Sequence, residues 1–317
     1  MKDNVIDQKL YTLMFHFVMD KDPQFPLLSI CTRNRFRKQL DFLLQNYTPI
    51  RMKDLINFVY EEKPLPRNSF LLTFDHGTKD HYDFVLPELR AKGLEGSFFI
   101  ITSLVEEQRL PAIEKQRFLN AKFSNFLDYF QLFKENLCNL FPEYSNRIEP
   151  TEENLATNYL KECSFYSDHE RLYRNVRDNV LEAKQFQIIM DTISADVFDE
   201  QKLIDQYYLN WDELQILQSE GMTIGSHGHN HILYSQSSLG DCINDVTKSF
   251  DLLRTRLNNP NIETITYANG EYSEALFSTL ENIGVKIAFR DRPGVAITKS
   301  THYKAFRIDT NLLDEYV

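Results

Sequence analysis

The stretch Phe70–Ile101, FLLTFDHGTKDHYDFVLPELRAKGLEGSFFII, decides the fold. Phe70–Phe74 is an apolar run of strand length that leads directly into Asp75, His76 and Gly77. Asp80–Ala91 has a helical pattern, with Pro87 placed to bend it or shift its start. Gly93–Gly96 makes a turn, and Ser97–Ile101 reads as the next strand. Strand, polar loop, helix and strand is the βαβ unit of a parallel α/β fold. In such folds the residues at the C-terminal ends of the strands face the usual catalytic mouth.

The same pattern extends in both directions. Leu10–Phe15 reads as a buried strand ending at His16, Arg35–Leu44 and Met52–Tyr60 as helices, and Pro64 and Pro66 as breaks. Downstream, Asp212–Ser219 predicts a helix that stops at Gly221, and Met222–Gly225 a short strand before SHGHNH. Leu239–Leu257 follows as a helix, Ile262–Tyr267 as a strand, Tyr272–Asn282 as a helix and Val285–Phe289 as a strand, with Ile308 and the last residues placed to close the fold. The expected architecture is a distorted TIM-like (β/α)7-8 barrel, with residues 1–317 forming a single catalytic domain. Residues 103–210 read differently. Leu119, Phe123, Phe126, Leu127, Phe130 and Phe133 recur at helical spacing, as do Val176, Val180, Leu181 and Lys184. No Gly/Ser/Pro linker flanks the region, so it is expected to be a helical insertion or cap within the domain rather than a separate one.

Composition narrows the function. Thirty-five basic against 46 acidic residues give a formal net charge of -11, which argues against a general grip on nucleic acid. The N-terminus shows no basic-then-apolar signal, and no run approaches the roughly 18 apolar residues of a membrane span. A soluble cytoplasmic protein is expected. Cys31, Cys138, Cys163 and Cys242 form no CxxC or zinc-finger spacing and are expected to be unpaired structural thiols. No GxSxG elbow or Walker loop is present.

The chemistry lies in Asp75, His76, His227 and His231. Imidazole and carboxylate are suitable ligands for zinc or another divalent first-row metal. His227 and His231 are four residues apart, which puts both rings on one face of a helix and is also within reach of a tight loop; Gly225 and Gly228 favour the loop. His76, His227 and His231 are expected to hold the metal. Zinc comes first, with cobalt, nickel, manganese or iron as alternatives. Asp75 is expected to act as base toward activated water. The bland reading is three structural histidines. His229 reads as a hydrogen-bonding group behind the site or an exposed loop residue, His16 as a structural residue near the mouth, and His81 as part of the helix after Asp80, with contact to substrate as its alternative.

At these residues the chain resembles the polysaccharide deacetylase superfamily (NodB homology, carbohydrate esterase family 4). The family's first motif, TFDDG, here reads Thr73–Phe74–Asp75–His76–Gly77. The resemblance implies that Asp75 is the catalytic base and that His76 stands where the family has a metal-binding aspartate. The second motif is Gly225–His231, whose two metal histidines map onto His227 and His231. A YPYG-like third motif becomes Tyr267–Ala268–Asn269–Gly270, and the backbone amide of Asn269 is implied as an oxyanion donor. The LxH motif that commonly supplies the acid is not evident; His16, His229 and His302 are the candidates. Phe306–Arg307–Ile308–Asp309 looks like the FRID or PRID ending of an atypical branch, with Arg307 and Asp309 expected to pair or to orient sugar hydroxyls.

The implied activity is metal-dependent removal of an acetyl or formyl group from the nitrogen of an amino sugar. The implied partners are a sugar nucleotide, a lipid-linked sugar or another glycan intermediate. The alternatives are a catalytically inactive sugar-binding or structural homologue, favoured by the altered motifs, and an esterase or amidase for another small substrate.

Overall fold

The computed structural model describes residues 10–123, 125–161, 166–291 and 297–315. Their contacts divide the chain into two compact units. One contains Met1–Asp20, Ile30–Gln108 and Ile204–Val317, and the other Lys21–Ser29 and Arg109–Leu203.

The first unit is a nearly closed barrel of parallel strands. These are β1 (Leu10–Phe15), β2 (Thr48–Pro49), β3 (Ser69–His76), β4 (Ser97–Ile100), β5 (Thr223–Ser226), β6 (Thr264–Thr266), β7 (Ile287–Arg290), β8 (Ala305–Phe306) and β9 (Ile308–Asp309). The order around the sheet is β8-β7-β6-β5-β4-β3-β1-β9. β2 stands off this path beside the first residues of β3, with Thr48 opposite Ser69. The two ends of the order are one extended segment. Ala305 and Phe306 pair with Phe289 and Arg290 of β7, while Ile308 and Asp309 pair with Leu13 and Met14 of β1. A five-residue run therefore serves both edges of the sheet, with Arg307 at the crossing. This removes the open edges that an eight-stranded path would otherwise expose.

Alternation along the strands sorts the side chains into two layers. Leu71, Phe99, Ile287, Phe289 and Ala305 form one buried cluster with Ile50, Met52, Leu55 and Val59. β3 and β7 are not neighbours, so Leu71 and Ile287 share a cluster only across the inside of the barrel. The helix Met52–Glu61 contributes the apolar face that plugs its N-terminal end. On the opposite side of the strands, Phe15, Phe74 and Phe98 stack ring on ring and meet Phe36 of the helix Arg33–Asn46.

Two helical expectations are corrected. His81–Val85 is a π-helical turn, with the Leu86 amide reaching back to the His81 carbonyl, and the α-helix proper is Leu86–Ala91. Pro87 sits in its first turn, where a missing N–H costs nothing. The helix expected from Tyr272 begins only as a 3-10 turn at Glu274–Leu276 before Phe277–Asn282, because Ser273 stays extended.

The second unit contains the helices Ala112–Lys122, Phe126–Leu140, Asp168–Asn179 and Ala183–Val197. Its core holds Tyr129, Phe133, Leu137, Tyr173, Ile189 and Met190, and the Tyr129 and Tyr173 hydroxyls bond at 2.7 Å. Leu127 is exposed rather than part of that core. The Val176–Lys184 spacing spans a helix end at Val180, because Glu182 and Gln185 form a capping box that starts a new helix. Among the described residues, no helix is long and apolar enough to cross a membrane. Cys31, Cys138 and Cys242 are free thiols, and Cys163 lies outside the described residues.

Candidate metal centre

Inside the barrel, the apolar layer gives way to a polar one at the C-terminal ends of the strands. β3 contributes Asp75, which is 1% exposed. Strict alternation would send His76 outward with Phe74. His76 instead has φ 74°, and Gly77 after it φ 73°. The left-handed step breaks the alternation, so that two consecutive side chains join one site. A non-glycine residue in that region carries strain, which persists where the surroundings fix it.

His227 follows β5 directly, and His231 closes the loop with φ 54°. The loop is held by Asp245 on the helix Leu239–Arg256, whose buried carboxylate accepts the His229 amide at 2.9 Å, the Asn230 amide at 2.7 Å and the Tyr234 hydroxyl at 2.9 Å. Gly228 is required here: its φ is 77°, and a Cβ would meet Asp245 Oδ2 at 2.6 Å.

His76, His227 and His231 are all buried, and one ring nitrogen from each lies within 4.8 Å of the others. His227 Nε2 and His231 Nε2 are 3.1 Å apart. Two nitrogens bound to one tetrahedral zinc at about 2.05 Å each would stand about 3.3 Å apart. The donor set therefore fits a divalent first-row ion. His227 Nδ1 lies 2.9 Å from the Thr266 carbonyl, which can only accept, so Nδ1 carries the proton and Nε2 keeps its lone pair for the centre.

Asp75 faces the same centre, with Oδ2 3.9 Å from His227 Nε2. Arg307, 2% exposed, donates Nη1 to Asp75 Oδ1 at 2.7 Å and Nη2 to Asp75 Oδ2 at 2.6 Å, and Nη2 also reaches Asp291 Oδ1 at 2.6 Å. Burial by itself would raise the Asp75 pKa. The Arg307 charge, with help from His227 and the Arg307 hydrogen bonds, outweighs it and holds the carboxyl well below the usual carboxylate range. Burial pushes the Asp291 carboxyl up, and Asp75 adds to this against the pull of Arg307.

The expected pairing of Arg307 with Asp309 is thus corrected. Arg307 points into the barrel toward Asp75 and Asp291, while Asp309 Oδ1 accepts the Asn311 amide at 2.8 Å. Nothing in the sequence marked Asp291 or Asp245, because their partners are set by strand order and helix docking rather than by spacing.

Four other histidines take distinct places. His229 is buried, bonding Thr102 Oγ1 at 2.9 Å and Glu107 Oε1 at 3.0 Å, so it braces the loop and is not exposed. His302 precedes β8 and meets Tyr60 edge-on and Tyr303 at a tilt, at the barrel end opposite the histidine cluster. His81 is fully buried and bonds the His16 carbonyl through Nε2 at 2.9 Å. The His16 ring centre lies 5.1 Å from that of His76. Asn269 is exposed in the turn Ala268–Gly270 after β6, with φ 52°.

The polysaccharide deacetylase family model matches residues 179–288, which include the second motif loop and Asn269 but neither Asp75–His76 nor Arg307. The fold is similar to that of the Streptococcus pyogenes deacetylase PplD in complex with acetate, at 15% identity and TM-score 0.58 over 96% of each chain. It is also similar to IcaB from Ammonifex degensii, at 14% identity and TM-score 0.57 over 95% of this chain and 92% of that one. A de-N-acetylase from Aggregatibacter actinomycetemcomitans aligns at 13% identity and TM-score 0.57, over 97% and 99% respectively. No curated protein sequence matches the chain. The family match bears out the resemblance to the polysaccharide deacetylase superfamily over residues 179–288, and the similar structures share the barrel fold.

Proposed function

We propose that the protein is a metal-dependent hydrolase that removes an N-acyl group, acetyl or formyl, from an amino sugar within a larger carbohydrate or an activated sugar. The observation that carries this reading is the buried three-imidazole cluster beside a carboxylate that Arg307 keeps ionised. His76, His227 and His231 would hold the ion, zinc before cobalt, nickel, manganese or iron. When bound, such an ion supplies Lewis acidity toward the acyl oxygen and toward water.

The chain's own groups divide the remaining work. Asp75, ionised over the working pH range, accepts the proton of the attacking water through the oxygen that faces His227. The backbone amide of Asn269 donates to the oxygen that gains charge at the acyl carbon. His16 is the histidine placed to deliver a proton to the departing amine, since His229 is committed to Thr102 and Glu107 and His302 lies at the other end. Imidazole is a common donor in such transfers. Support for a carbohydrate substrate comes from the family match and from the similar folds, which include deacetylases and a de-N-acetylase. The test is acetate and formate release from a panel of N-acylated amino sugars by protein of measured metal content. Turnover that rises with bound metal supports the reading, and no turnover by fully loaded protein across the panel contradicts it.

A further inference from the structure

β3 keeps β4 as its neighbour as far as His76, opposite Ile100, but gives up β1 after Phe74, opposite Phe15. The left-handed steps at His76 and Gly77 then carry the chain off the strand path. The segment His16–Val18 thereby loses the ladder partner that β3 would have provided. Two side chains from the turn after the motif stand in for it. His81 Nε2 meets the His16 carbonyl at 2.9 Å, and Asp80 Oδ2 accepts the Val18 amide at 2.6 Å. On the other side, the Cys31 amide bonds the Phe17 carbonyl at 2.8 Å. Asp80 is 7% exposed and His81 0%, so both bonds are shielded from water. A carbonyl accepts only, so His81 Nε2 carries the proton; burial lowers the His81 pKa, against Asp80, and so keeps that tautomer neutral.

We propose that Asp80 and His81 are positioning residues: they clamp the backbone on either side of Phe17 and so fix the His16 ring against His76 in the site. The inference rests on the proposed hydrolysis and on the part given there to His16. The same geometry accounts for both halves of the loop. Turning Asp75 and His76 inward together removes the ladder beside His16, and the next few residues replace it with buried side-chain bonds.

The test combines Val18 amide exchange with turnover, by the metal-loaded protein, of the same panel of N-acylated amino sugars. Asp80→Ala and His81→Leu each remove one arm, while Asp80→Asn keeps an acceptor and His81→Gln keeps a donor. Asp80→Ala is expected to speed exchange at Val18 and to lower kcat on the order of 10- to 100-fold, the scale of a small misplacement of a reacting group. KM and bound metal should stay unchanged, Asp80→Asn should restore most of the rate, and Asp80→Ala should cost nothing further in a His16→Ala background. The same loss in both backgrounds would show that Asp80 does not act through His16 and would overturn the proposal. So would faster Val18 exchange with native kcat. Where Asp80→Ala does not fold, the double comparison is made with Asp80→Ser, whose shorter side chain withdraws the acceptor from the Val18 amide while keeping a polar group in the pocket; an equal loss with and without His16 would likewise overturn it. Lack of turnover by the unmutated, metal-loaded protein marks failure of the underlying reading, and it is seen before any variant is compared.

Discussion

His76 and Asp75 are adjacent residues that reach one centre, and the backbone has to turn left-handed at His76 for this to happen. Their meeting at one site was legible in the sequence because motif spacing carries it: an apolar strand, then a carboxylate and an imidazole, with a second pair of imidazoles four residues apart. The strained φ was not legible, since a histidine in that region has no distinguishing neighbour apart from Gly77. The carboxylate's partner was not legible either. Arg307 lies 232 residues from Asp75, and only the closing of the barrel brings them together. The pairing predicts a separation of roles. Asp75→Asn should leave metal binding intact, because the three imidazoles remain, but should lower kcat by roughly 10²–10⁴-fold through loss of the proton acceptor. Steady-state kinetics on protein of equal metal content checks this, and native kcat would remove Asp75 from the base role.

At the scale of elements, the loop after β5 carries two of the three imidazoles and depends on a helix that contributes none. Asp245 takes three hydrogen bonds from that loop and lies against Gly228, whose missing Cβ makes room for it. Gly228→Ala therefore meets both a steric and a conformational obstacle. The left-handed backbone alone costs about 1–2 kcal/mol for a residue with a Cβ, and the contact adds to it. The expected result is a folded protein with weaker metal binding by calorimetry. Unchanged affinity would show that the loop reaches its geometry without this packing. The strands were readable as apolar runs and the helices as periodic ones, and most differ from the expected bounds by a residue or two. The π-helical turn before Pro87 and the late helix at Phe277 were not, because each depends on which backbone hydrogen bonds the neighbouring turn leaves available.

On the scale of the molecule, Ala305–Asp309 joins the two edges of the sheet, and its central residue holds the polar layer together. The sequence placed Ile308 at the closure. It could not show that one short run serves two neighbours, so the pairing of Arg307 with Asp75 and Asp291, in place of Asp309, was not legible. Arg307→Met should leave Asp75 and Asp291 buried without their cation, a loss of roughly 3–5 kcal/mol measured by denaturant unfolding. Replacing both carboxylates by amides in that background should recover part of it. The pH dependence has a definite sign. Asp75 titrates below its unfolded value, so its contribution is complete above about pH 4 and is lost as pH falls through the depressed folded value. Acid unfolding of Arg307→Met should accordingly be shallower in that range than for the unmutated protein, and an equal slope would contradict the assignment.

Hydrolysis of an N-acyl sugar at a divalent ion held by three imidazoles can be checked by measuring bound zinc and acetate or formate release together, in the unmutated protein and in His76→Ala. The expected result is close to one zinc per chain with sugar-dependent release, and joint loss of most metal and most turnover in a folded His76→Ala protein. Metal content and turnover that are both unaffected by His76→Ala would contradict it.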